Sequence, residues 1–214
     1  MRYRDVYYII GTAYAGKSTM VKMLAEKFGG IACEENYHDI LLDGLDSKEF
    51  PNLTYTRDLK DWSDFVRRTP EEYARWIFDV AKECEVLELR ILDDLRQKTD
   101  KKIFVDTNIS VETLREISDG EHVLVMLADP SISVNRFFER PDREKQFIYQ
   151  LLLNEPDPDK AMANYREGLM LINSPERYQA LENSGFPVIC RDENRTVEQT
   201  LEMVRKIFAL QTKC

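Results

Sequence analysis

The chain is poor in the residues that build nucleophilic, redox and structural-metal sites. It has two histidines, His38 and His122, and four cysteines, Cys33, Cys84, Cys190 and Cys214, with no C-x-x-C pair among them. Such spacing argues against a Cys-based zinc site or a vicinal redox pair and points to reduced thiols used mainly as core filler. His122 opens the apolar run HVLVMLA and reads as a strand-edge residue, so a Ser-His-Asp mechanism would rest on His38 alone. No apolar stretch reaches the roughly 18 residues of a membrane span. The first residues lack a long apolar run with a small-residue cleavage site, so no secretory signal is expected and the expected location is cytoplasmic. Positive charge is also scarce: 30 Lys and Arg against 39 Asp and Glu leave a net charge of −9. That balance argues against a general nucleic-acid or acidic-membrane partner and requires any phosphate site to gather its cations locally. Nothing in the composition sets the oligomeric state.

What is present fits one α/β domain. The chain has 214 residues, 43% hydrophobic and 32% charged, a globular composition long enough to bury a core without staples. Short apolar runs at Val6–Ile10, Ile31–Cys33, 101–105, 123–128 and 187–190 read as strands. Between them the apolar spacing turns helical: from Lys17 to the Gly29-Gly30 stop, from Thr69-Pro70-Glu71-Glu72 to about Gln97, after Ser110, over 131–139, 143–153 and 159–184, and from Val197 to Leu210. Residues 36–69 read as irregular, and Asn154–Asp159 as a turn. Strands alternating with helices predict an open, mostly parallel sheet with both faces covered.

The chemistry-bearing motif is Gly11-Thr12-Ala13-Tyr14-Ala15-Gly16-Lys17-Ser18, followed by Thr19, which fits G-x-x-x-x-G-K-[ST], the P-loop. It follows the first strand and opens the first helix, as the mechanism requires. Its glycines let successive N–H groups turn inward around a phosphate. Lys17 places a point charge on the β- and γ-phosphates, Ser18 offers a hydroxyl to Mg²⁺, and the helix aims its positive end at the anion. Tyr14 stands where many such loops carry glycine and is expected to stack on a ligand or cover the loop.

Other candidates surround it. Asp106 ends an apolar strand, the place for an acid that holds Mg²⁺ or accepts a proton. Arg136 and Arg140 are four apart and are predicted to share a helix face, with Arg143 and Lys145 following, which together read as the best local basic cluster for phosphate in an acidic chain. Glu34 and Glu35 follow the second strand, suited either to an acceptor hydroxyl or to a solvated turn. Arg57, Arg67 and Arg68 are candidates for an acceptor's charge. Tyr37, Trp62, Phe65 and Trp76 read either as pocket lining or as core. The loop Cys190–Arg195 is placed to lie against a nucleotide base.

GTAYAGKST, KKIFVDTN, VLVMLADPSISVNRFFERPDRE and FPVICRDENRTVEQTLEMV together resemble the P-loop small-molecule kinases, the group of nucleoside monophosphate, shikimate-type and antibiotic kinases. The likeness covers about residues 5–30 and 101–210. It implies a three-layer P-loop NTPase fold with a five-stranded parallel sheet of order 2-3-1-4-5, a helical acceptor-binding region over 34–100 and a lid over 136–158 that closes on ATP. It implies an ATP-binding loop at Gly11–Thr19, catalytic roles for Lys17, Asp106, Arg136 and Arg140, and Mg²⁺ at Ser18 and Asp106. The partner it implies is a small-molecule phosphate acceptor. Residues 34–100 carry none of the resemblance, and the Asp-Gly-x-Pro/Arg sequence common after the third strand of nucleotide kinases is absent. Two further readings stay open, a regulatory ATPase or switch without a small acceptor and a degenerate P-loop protein that only binds a partner. The absence of N-K-x-D and D-x-x-G disfavours a GTPase.

Overall fold

The computed structural model describes residues 3–139 and 143–211. In chain order the regular elements are β1 (Val6–Gly11), α1 (Lys17–Phe28), β2 (Ile31–Cys33), α2 (Tyr55–Asp58), α3 (Ser63–Val66), α4 (Pro70–Lys98), β3 (Ile103–Asp106) and α5 (Val111–Ile117). They continue as β4 (Val123–Leu127), α6 (Pro130–Asn135), α7 (Arg143–Leu153), α8 (Pro158–Ile172), α9 (Pro175–Glu182), β5 (Val188–Cys190) and α10 (Val197–Ile207). Two compact units form: one from the described residues of Met1–Asp43, Cys84–Ala128 and Gln179–Cys214, the other from those of Gly44–Glu83 and Asp129–Tyr178.

The first unit is α/β. Its five strands are all parallel in the order β2-β3-β1-β4-β5, with helices on both sides. Side chains alternate across the sheet, as the two-residue strand period requires. Tyr7, Ile9, Phe104, Leu124, Met126 and Ile189 face Met20, Val21 and Leu24 of α1 and Leu201 and Val204 of α10. The intervening Tyr8, Ile10, Val105, Val125 and Leu127 are buried as well. Burial on both faces explains why these strands read as unbroken apolar runs. The register sets Ile9 beside Asp106 and Gly11 beside Met126, so both residues sit at the carboxyl edge of the sheet. Among the described residues no helix is long and apolar enough to cross a membrane.

The second unit is helical. Phe65, Val66, Tyr73, Ile148, Leu152, Tyr165 and Leu169 form its core, and the Tyr73 and Tyr165 hydroxyls meet at 2.9 Å. Glu83 ties the 50–53 loop to α4 by accepting from the Asn52 side chain at 2.7 Å and the Leu53 N–H at 2.8 Å.

Several boundaries differ from the sequence reading. Residues 36–69 hold a 3-10 segment at Tyr37–Gly44 as well as α2 and α3. The helix expected over 159–184 breaks at Ser174-Pro175, because a proline cannot continue an α-helical ladder. The helix expected over 131–139 ends at Asn135, and Phe137–Glu139 is a 3-10 turn. Its Ser, Ile, Ser and Val residues are modest helix formers. Arg136 is therefore the C-cap of α6, and Arg140, with which it was expected to share a helix face, lies outside the described residues.

Candidate functional site

The loop between β1 and α1 is built into the first unit at both ends. The Thr12 N–H donates to the Met126 carbonyl at 3.1 Å, and the Ala128 N–H donates to the Thr12 hydroxyl at 2.7 Å. Gly11 has φ +138°, and a Cβ there would lie 1.8 Å from the Met126 carbonyl oxygen, so no other residue fits. Gly16, at φ +91°, precedes the first residue of α1. It provides no side-chain cap, and the first turn of α1 holds no acid. The positive end of the helix is thus left for an anion.

Tyr14 takes φ +64° without being glycine, a conformation that costs about 1 kcal/mol. Its side chain packs against the α1 core, and its carbonyl accepts from Arg191 Nη1 at 2.6 Å. That bond brings the loop after β5 against the glycine loop. Between them lies a cavity of about 270 Å³ lined by Gly16, Thr19, Cys190, Arg191, Arg195 and Thr200, among others. Of the remaining loop residues, Ala13 and Thr19 are exposed and Ala15 is buried.

Three of the sequence candidates converge. Ser18 Oγ donates to Asp106 Oδ2 at 2.7 Å. Lys17 Nζ lies 3.6 Å from Asp106 Oδ1 and donates to the Thr12 carbonyl at 3.2 Å. Lys17 is folded down onto the sheet edge: its side chain is 12% exposed and that of Asp106 5%. The Asp106 carboxyl is held above its ordinary range, chiefly by burial, with Lys17 and Ser18 pulling the other way and Glu35 adding to the rise.

A raised folded-state pKa makes the charged carboxylate unfavourable in the fold, so stability falls as pH rises through that pKa. Asp106→Asn is therefore expected to raise the thermal unfolding midpoint at neutral pH. The gap to wild type should close below the ordinary carboxylate range, and thermal scans of both proteins across that range check it.

Glu34 and Glu35 are exposed beyond β2. Arg136 belongs to the helical unit, where its Nε is 3.9 Å from Glu139.

Beside Asp106 stands a buried cluster that the sequence reading missed. Glu88 of α4 has no exposed surface, yet it accepts from the Thr107 hydroxyl, from the Asn108 N–H at 2.9 Å and from Asn108 Nδ2 at 2.9 Å. The oxygen that takes the Asn108 Nδ2 bond, Oε1, also faces His38 Nδ1 at 3.1 Å. A carboxylate only accepts, so the contact asks for a proton on His38 Nδ1, while His38 Nε2 lies 3.2 Å from the Cys84 sulfur and 3.7 Å from Asp39 Oδ1. Burial, with Glu88 nearby, pushes the Cys33 thiol up to about 12. The cluster clamps the turn after β3 directly behind Asp106. The available signal was positional: Glu88 falls on the Cys84, Leu87, Ile91, Leu95 stripe, where a charge has no reason to sit unless it is paired.

Glu88→Ala leaves these donors buried without an acceptor. It is expected to cost on the order of 3 kcal/mol in denaturant unfolding.

Among the described residues no group of three or more His, Cys, Asp or Glu is arranged to hold a metal by itself. Ser18 and Asp106 offer two oxygens, which fits Mg²⁺ better than a metal that needs an all-protein cage, because Mg²⁺ keeps waters and takes phosphate oxygens. Comparison of the chain with protein-family models, with curated proteins and with solved structures finds no match.

Proposed function

We propose that this chain is an ATP-dependent phosphotransferase that moves the γ-phosphate of ATP to a small-molecule acceptor. The observation that carries the reading is the meeting of Lys17, Ser18 and Asp106 at the carboxyl edge of a parallel sheet, beside a loop whose first glycine no other residue can replace. In open α/β sheets ligands bind at that edge. The strand order is the one expected from the resemblance to P-loop kinases, and on this proposal the fold is a P-loop NTPase fold.

The loop N–H groups from Ala13 to Thr19 and the Lys17 ammonium bind the phosphates. Ser18 and Asp106 hold Mg²⁺, which when bound neutralises charge on the phosphate oxygens. The cavity between the glycine loop and the 190–195 loop takes the base. Arg136 and Arg140 stabilise the charge in transfer. Positioning and electrostatics carry most of such catalysis, so Arg136→Ala is expected to lower kcat by about 10²-fold with acceptor KM little changed, read in steady-state kinetics.

The reading is tested by ADP formation from Mg·ATP with and without nucleosides, nucleoside monophosphates, sugars, hydroxy acids and aminoglycosides, beside Lys17→Ala. Stimulation by one class, lost in Lys17→Ala, supports it. A hydrolysis rate indifferent to every acceptor replaces it with a regulatory ATPase, and no ADP at all removes it.

A further inference from the structure

Arg68 follows α3 in the helical unit, with its guanidinium set among aromatic rings. Its central carbon lies 4.1 Å from the Tyr55 ring centre, 5.0 Å from Trp76 and 5.3 Å from Phe65. Its Nη1 is buried and makes no hydrogen bond. Among the described residues its side chain has no hydrogen bond and no carboxylate partner. The neighbouring arginines are treated differently: Arg67 pairs with Glu155 at 2.8 Å and Arg57 with Asp58 at 2.7 Å.

Burying Nη1 of a half-buried cation without a partner is costly, because ring faces attract the charge but do not replace the hydrogen bonds that nitrogen loses from water. Its backbone and the rings around it are themselves tied in place. Asn164 Nδ2 donates to the Arg68 carbonyl at 2.6 Å, and Trp76 is fixed edge-on to Phe65 at 5.2 Å and to Tyr55 at 6.1 Å. The rings crowd the guanidinium while its N–H groups have no protein partner, and a guanidinium so placed can still offer an oxyanion two parallel hydrogen bonds. In a chain of net charge −9 a cation left unpaired in this way is set apart from the general surface.

We infer that Arg68 is an oxyanion-binding residue and that the acceptor carries the oxyanion, a carboxylate or a phosphate. The second half of this statement rests on the phosphotransferase reading; the first does not.

The two tryptophans of the chain make the test direct. Trp76 lies beside Arg68, Trp62 lies 5.5 Å from Phe65, and the sheet-bearing unit has no tryptophan. Tryptophan emission is followed while inorganic phosphate or acetate replaces chloride at constant ionic strength. Wild type is expected to give a saturable change with at least one of the two anions. Phosphate alone would assign a phosphate ester acceptor, and acetate alone a carboxylic acid. Lys17→Ala and Arg67→Met should keep the response. Arg68→Lys, which retains charge but not the fork, should weaken it about 10-fold or more, and Arg68→Met should abolish it.

No saturable response in wild type overturns the inference, as does a response of equal strength in Arg68→Lys. Arg68→Lys decides the matter even where Arg68→Met fails to fold. If the response behaves as expected while no acceptor stimulates ADP formation, the transferase reading fails and the oxyanion site stands.

Discussion

Gly11→Ala is expected to destabilise the sheet-bearing unit severely. The added methyl carbon would sit 1.8 Å from the Met126 carbonyl oxygen and 2.7 Å from its carbonyl carbon. Both belong to the backbone of β4, and the Gly11–Met126 register that would have to shift is the last of the β1–β4 pairing. The φ of +138° is closed to a residue with a side chain in any case. A backbone clash cannot relax by a rotamer change, so the loss should be about 3 kcal/mol or more, a large share of the roughly 5–15 kcal/mol that holds a domain of ordinary stability. Gly16→Ala is the control. Its Cβ would meet nothing within 4 Å, so only the left-handed φ penalty of about 1 kcal/mol applies. Denaturant unfolding of the two variants should therefore separate widely, and equal midpoints would contradict the geometry described for the loop.

Lys17→Ala is expected to lower ATP-dependent turnover by 10²-fold or more, the scale of removing one preorganised charge from a transfer site. The structure adds a second consequence. Lys17 is the cation that offsets the burial of Asp106, and without it the Asp106 carboxyl rises further above its ordinary range. By the sign worked out for Asp106, the variant loses stability relative to wild type as pH rises through that pKa, and regains it at pH below the ordinary carboxylate value. Lys17→Ala combined with Asp106→Asn should recover the neutral-pH stability and none of the turnover. Unfolding midpoints for the single and double variants complete the cycle. Additive midpoint changes would mean that the 3.6 Å pair contributes nothing to the fold.

What was legible in the sequence is what local chemistry dictates. The bounds of α1 follow from the glycine loop before Lys17 and the Gly29-Gly30 stop after Phe28. Ser110 caps α5 by accepting from the Thr113 N–H, and Thr69 and Glu72 exchange hydrogen bonds at the start of α4. The convergence of Lys17, Ser18 and Asp106 was also legible, because strand ends and a phosphate-type loop share the carboxyl edge of a parallel sheet.

The rest depends on distant partners. Glu88 meets His38 across 50 positions and Thr107 across 19, and no periodicity announces such a pairing. The unpaired state of Arg68 was equally hidden. Three arginines within twelve residues look alike until their carboxylates are located. The break of α6 at Asn135 came from a run of residues with weak helix preference, where tertiary packing decides the end.

On the proposed function, the loop from Gly11 to Thr19, with Asp106, is a Mg·ATP site. Isothermal titration of the full chain with ATP tests it most directly, in Mg²⁺ and again in EDTA, with Lys17→Ala beside wild type. Saturable one-site binding is expected, weakening at least about 10-fold on removal of either the metal or the lysine side chain. Absence of binding in wild type, or an affinity that neither change alters, would contradict it.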